Sequence, residues 1–204
     1  AFSAVSAAFC SSSVTSLVDD IFIYLVNNAS NLFSVQHIVN FFKSKNRKVS
    51  YDTLSNYLGY IEEAFLAYKT ERYNIKGKDV VAGNCKYYLN DLSFKNFLYP
   101  GFAYGVGYLL ENAVYLELRR LGYIVYTGSF RDKEVDFVAM KDDRVIYLQA
   151  TYMLETAQTM EREYAPLLTI GDNYEKYVVS MDEVQFPSNE GVRHIQAWNL
   201  KEIL

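Results

Sequence analysis

The 204-residue chain is poor in the residues that build covalent and metal frameworks. It has two cysteines, Cys10 and Cys85, which lie far apart and outside any CxxC or Cys/His spacing. That excludes a disulfide scaffold and a zinc site, and predicts two free thiols in a reducing, cytoplasmic setting. The two histidines, His37 and His194, are isolated, so no Ser/His/Asp or Cys/His catalytic arrangement is legible. No apolar run approaches the roughly 18–20 residues that a helix needs to cross a bilayer. The opening AFSAVSAAFCSSS lacks the basic start of a signal peptide and forms an unexplained segment, residues 1–16. Positive charge is also short. A net charge of -4 and a pI near 5.3 exclude a protein that coats phosphate backbones, so any nucleic-acid contact has to be local. No GxxxxGK[ST] loop is present, which excludes nucleotide binding by that route.

What remains is a globular composition, 50% hydrophobic and 22% charged, with nineteen Tyr and thirteen Phe for packing. Leu17, Ile21, Tyr24 and Leu25 recur at helical spacing, and Ser34 and Ser50 are placed to cap two further helices. The third helix buries Leu54, Leu58, Ile61 and Phe65 and has Asp52 in its first turn. AYKTERYNI and KYYLND then read as a β-hairpin around Gly77 and Gly83. Three short helices followed by a hairpin predict a winged helix-turn-helix over residues 17–98. One Pro and three Gly in PGFAYGVG mark the expected joint near Pro100. Residues 99–204 repeat a different order: the helix GYLLENAVYLELRRLG, the strands YIVYTG, KEVDFVAM and RVIYLQATY, the helix TAQTMEREYAPLL, then KYVVSM and HIQAW. This predicts a second, α/β domain with a mixed sheet that folds separately from the first.

The chemistry concentrates in EVDFVAMKDDRVIYLQAT. Side chains alternate across a strand, so Glu134, Asp136 and Val138 are expected on one face and Val135, Phe137 and Ala139 on the other. In the next strand Gln149 and Thr151 share a face, so a hairpin brings Asp136 and Gln149 toward a common point. Glu111 on the preceding helix can add a third ligand, an oxygen set that suits Mg²⁺. The plain alternative is a solvated strand face, its carboxylates paired with Arg131, Lys133 or Arg144. Glu117 lies on another helix face and pairs with Arg119 or Arg120.

The order of Glu111, Asp136 and Gln149 resembles the PD-(D/E)XK nuclease superfamily, which implies a restriction-endonuclease-like fold. In that pattern a lysine follows two residues after the Glu or Gln; here Thr151 stands in that place. The resemblance therefore implies a remnant site at Glu111, Asp136, Gln149 and Thr151, with weak Mg²⁺ binding by Glu111 and Asp136. Taken together, NYLGYIEEAFLAYKTERYNIKGK, KYYLND, GYLLENAVYLELRRLGYIVYTG, KEVDFVA, IYLQATYML and GVRHIQAW are similar to the C-terminal module of prokaryotic AAA+ family ATPases of uncharacterised role. That implies an ATPase domain in the parent chain as a partner, and a non-catalytic accessory role that binds protein or DNA.

For DNA, the winged helix offers Ser50, Tyr51, Thr53, Asn56 and Tyr57 to the bases. Lys43, Lys45, Arg47 and Lys48, with the wing lysines Lys76 and Lys78, face the phosphates. Against this, the third helix carries Glu62 and Glu63 and no arginine, which favours a protein contact. Two alternatives remain: a metal-dependent endonuclease whose lysine has migrated, for instance to Lys133 or Lys176, and a transcription regulator that uses the winged helix alone.

Overall fold

The computed structural model describes residues 17–98 and 106–204. The N-terminal segment with Cys10 and the expected joint at Pro100 lie outside the described residues. The first three helices are α1 (Leu17–Asn27), α2 (Val35–Ser44) and α3 (Tyr51–Glu63). Ser34 and Ser50 cap α2 and α3 as expected, their hydroxyls accepting from the backbone N–H of His37 and Thr53. Ile21, Tyr24, Leu25, Ile38, Phe42, Leu54, Leu58 and Ile61 form one apolar core. Phe65, placed in that stripe by spacing, is instead exposed, because it follows the end of α3 and takes a left-handed backbone at φ 55°.

Next come β1 (Ala67–Asn74), β2 (Asp79–Leu89), the short α4 (Ser93–Leu98) and α5 (Val106–Arg120), which Gly122 terminates at φ 87°. The remainder is β3 (Ile124–Phe130), β4 (Lys133–Lys141), β5 (Arg144–Ala150), α6 (Ala157–Leu168), β6 (Glu175–Ser180), β7 (Val192–Gln196) and a closing 3₁₀ turn, Ala197–Glu202. The seven strands make one mixed sheet in the order β2-β1-β3-β4-β5-β6-β7. β1–β3, β5–β6 and β6–β7 are parallel; the other pairs are antiparallel. Among the described residues no helix is long and apolar enough to cross a membrane.

The α/β class and the mixed sheet agree with the sequence. The expectation of two units that fold apart needs correcting, because the sheet takes strands from both sides of residue 100. The cause is β2, which is buried on both faces from Cys85 to Leu89. Cys85, Tyr87 and Leu89 enter the core of the first three helices, while Tyr88 enters a second core with Tyr115, Leu118 and Phe137. Buried Asn112 on α5 fixes this strand, bonding both the N–H and the C=O of Leu89 at 2.8 Å. Gly128 lets the hairpin join β3. A Cβ there would lie 2.8 Å from Val138, 2.9 Å from Val135 and 3.1 Å from Ile75, too close for any side chain.

Two consequences are measurable. Asn112→Ala leaves two buried backbone groups unpaired and is expected to cost about 2–4 kcal/mol of unfolding free energy in urea. Far-UV circular dichroism and the fluorescence of Trp198 are expected to report one coincident transition in the unmodified protein. Two separated transitions would contradict a cooperative shared sheet.

Candidate functional site

β4 does not alternate in the way a straight strand does. Tyr126 of β3 pairs with Val138, but Gly128 pairs with Val135, so two residues of β4, Asp136 and Phe137, oppose one of β3. This is a β-bulge, the usual device for re-aiming a side chain. Its effect shows in the cores: Phe137 and Ala139 pack on the α5 side, yet Val135 and Val138 both pack on the α6 side. The expected grouping of Asp136 with Val138 is thus corrected. The bulge turns Asp136 toward α5 and Glu111, and Val138 remains on the opposite face.

β4 and β5 part company at the same point. Phe137↔Leu148 is the last backbone pair, and beyond it side chains complete the ladder. Asp136 Oδ2 accepts from the Ala150 N–H at 2.9 Å, and Gln149 Oε1 accepts from the Asp136 N–H at 3.2 Å. Asp136 and Gln149 do meet, then, but each through the other's strand. Thr151 is buried, and its N–H donates to the Val179 carbonyl at 3.0 Å.

The centre of the pocket is a residue the sequence did not single out. Lys86 of β2 lies with its Nζ 2.7 Å from Glu134 Oε1, 2.9 Å from Glu111 Oε1 and 3.7 Å from Asp136 Oδ1. Its side chain is only 4% exposed. Tyr88, two residues on, donates its hydroxyl to the same Glu111 oxygen at 2.8 Å. Burial alone would favour loss of the lysine proton, but Asp136, Glu111 and Glu134 outweigh it and raise the Lys86 pKa. One ammonium does not balance three carboxylates. Burial and the neighbouring Glu111 push Asp136 up to about 8 despite Lys86, and burial raises Glu111 as well. A signal for Lys86 did exist: it is the one charge in the run CKYYL, where a two-sided buried strand would hold only apolar residues.

The donor set does not fit a divalent ion in this arrangement. Among the described residues no group of three or more His, Cys, Asp and Glu is placed to hold a metal. The expected ligands Glu111 and Asp136 are spent on Lys86, Tyr88 and the Ala150 N–H. Neither of the lysines proposed as migrated cations stands here. Lys176 donates to Asp172 and to the Tyr174 carbonyl, and Lys133 lines a cleft beside α6 with Tyr164 and Phe186.

The proposed nucleic-acid residues fall into separate places. Lys43 is exposed in the last turn of α2, Lys45 and Lys48 are exposed after it, and Tyr51 and Asn56 are exposed on α3. Arg47 is held by an ion pair with Asp20 and stacks on Phe42. Lys76 and Lys78 lie at the hairpin turn, beyond the part of the hairpin that pairs with β3. About 23 Å of β1, at roughly 3.3 Å per residue, separates that turn from the helices.

A second polar cluster joins residues that looked isolated. Ser180 and His194 lie on adjacent strands, with Ser180 Oγ 2.8 Å from His194 Nε2 and 2.7 Å from Asp182 Oδ2. The order of donation argues against a nucleophilic serine. The Phe186 N–H donates to His194 Nδ1, so Nε2 carries the proton and gives it to Ser180, which in turn donates to Asp182. The cluster instead ties residues 182–186 and the Leu154 N–H to the ends of β6 and β7.

Two curated relatives align with the chain. An uncharacterised protein of Haemophilus influenzae is 33% identical over 166 residues, which is 81% of this chain and 41% of the relative. An uncharacterised protein of Methanocaldococcus jannaschii is 32% identical over 143 residues, 68% of this chain and 31% of the relative. The chain spans less than half the length of either. No family model matches the chain, and no solved structure matches it.

Burial lowers the His194 pKa, with Asp182 opposing. A base depressed in the folded state contributes stability above its unfolded pKa and loses it as pH falls, since the unfolded chain then binds the proton better. His194 is therefore expected to pull the urea midpoint down below about pH 6.5, against Asp136, whose raised pKa favours the folded state as pH falls. The midpoint of His194→Gln minus that of the unmodified protein is expected to rise as pH falls through that range, and a difference independent of pH would refute the assignment.

Proposed function

We propose that the chain is a non-catalytic accessory module of a AAA+ type ATPase, built from a winged helix and a nuclease-like α/β portion, which binds a partner and does not cut nucleic acid. The observation that carries this reading is the state of the pocket. Its carboxylates are bound to Lys86 and to a backbone N–H, and the place where the nuclease pattern has a lysine holds the neutral, buried Thr151. The length of the relatives, more than twice the aligned segment, supports a module within a larger protein.

A protein partner is favoured over a base sequence. Along α3 and the turn after it Tyr51, Tyr60 and Phe65 are exposed at 52%, 59% and 65%, as are Asp52 and Glu63, and no arginine is present on the helix. Exposed aromatics anchor protein interfaces, whereas groove readout leans on Arg, Asn and Gln. A second reading has one specific observation behind it: a lysine does point into the carboxylates, so Lys86 is the candidate migrated cation of a metal-dependent endonuclease.

The test is a cleavage assay on supercoiled plasmid and single-stranded DNA with Mg²⁺ or Mn²⁺. The unmodified protein is expected to leave both intact. Cutting that Asp136→Ala abolishes would overturn the proposal and promote the endonuclease. For the partner, any duplex binding is expected to be weak, to fall steeply with salt, and to be lost when Lys43, Lys45, Arg47 and Lys48 are all changed to alanine. Sequence-specific binding that survives in that variant would place the DNA surface elsewhere.

A further inference from the structure

The nuclease-like pattern calls for a divalent cation, yet the pocket already contains a cation that the chain itself supplies. We infer that Lys86 is the resident cation of this pocket, taking the place of the divalent ion, so that the pocket binds no Mg²⁺ or Mn²⁺ until Lys86 is removed. The inference deepens the accessory reading and shares its premise that the pocket descends from a nuclease-like site.

Lys86 joins oxygens from two elements, Glu111 of α5 and Glu134 and Asp136 of β4, as a metal ion would. With Lys86 in place the oxygens stand at the spacing of an ammonium. Its contacts of 2.7, 2.9 and 3.7 Å are ammonium distances. An Mg²⁺ shell sits at about 2.0–2.1 Å, and a Ca²⁺ shell at about 2.3–2.6 Å. The ammonium also cannot be exchanged easily. On the other face of β2, Tyr87 stacks on Phe33 with ring centroids 5.6 Å apart and donates to Glu62 at 2.8 Å. Cys85 exchanges backbone hydrogen bonds with Phe33 at 2.8 and 3.0 Å. Withdrawing Lys86 would pull these groups out of the helical core. A lysine held on both sides in this way is a fixed charge, where a bound ion would be a soluble one.

The experiment is a Mn²⁺ titration, read by electron paramagnetic resonance of free Mn²⁺ and by calorimetry, with no activity readout. The unmodified protein and Asp136→Asn are expected to show no saturable site. Lys86→Met is expected to gain one saturable Mn²⁺ site, at least about tenfold tighter than any residual binding by the unmodified protein, because a divalent ion then meets the carboxylates without a competing charge. Lys86→Met/Asp136→Asn is expected to lose that site. If Lys86→Met is unfolded without metal, by circular dichroism, Mn²⁺ is expected to refold it. A saturable site in the unmodified protein that Asp136→Asn removes would overturn the inference, as would a Lys86→Met protein that neither binds Mn²⁺ nor folds with it. The two proposals fail separately. A protein that does not cut yet binds Mn²⁺ through Asp136 sinks only this inference, and one that cuts sinks the accessory reading.

Discussion

The buried ammonium of Lys86 is the interaction on which the rest of the structure turns. Glu111 and Asp136, largely buried, and the more exposed Glu134 would repel one another, and Lys86 reaches all three from a strand at the far edge of the sheet. Removing one partner from such a group is far more costly than never having built it, because the charges left behind are buried. That constraint ties the hairpin to the strands beyond residue 100 and makes the pocket a joint property of both halves.

Local elements were legible because their causes are local. Ser34 and Ser50 cap their helices through their own side chains, Gly122 ends α5, and in RVIYLQA Ile146 and Leu148 enter one core while Tyr147 enters the other, as alternation along a strand requires. Asp136 meets Gln149 and lies with Glu111 around Lys86, since a helix preceding a hairpin restricts where they can lie. Apart from Phe65, which follows the end of α3, the failures are non-local. The bulge at Asp136 and Phe137 depends on how β3 pairs with β4, which strand propensity does not encode. Lys86 is twenty-five residues from Glu111 and fifty from Asp136, and only the sheet order brings them together. Ser180 and His194 meet because β6 and β7 pair in parallel, with Val178 opposite His194.

The pocket and the Ser180 cluster illustrate one rule about polar groups in an interior. Each tolerates burial because its hydrogens are assigned: Tyr88 and Lys86 to Glu111, the Ala150 N–H to Asp136, Ser180 to Asp182. In both, the assignments use up the lone pairs that a reaction would need. A serine that gives its proton to Asp182 and receives one from His194 has lost the base that would activate it.

The two faces of β2 also matter before the fold is complete. As the chain leaves the ribosome, the hairpin and the first three helices emerge ahead of α5 and β4. The helices can cover Cys85, Tyr87 and Leu89 at once, but the opposite face waits for partners encoded later. An all-apolar strand at a sheet edge in that interval invites pairing with other nascent chains. Lys86, in the middle of that waiting face, puts there a charge of the kind that disfavours such pairing, and Glu111 and Glu134 receive it once they are made.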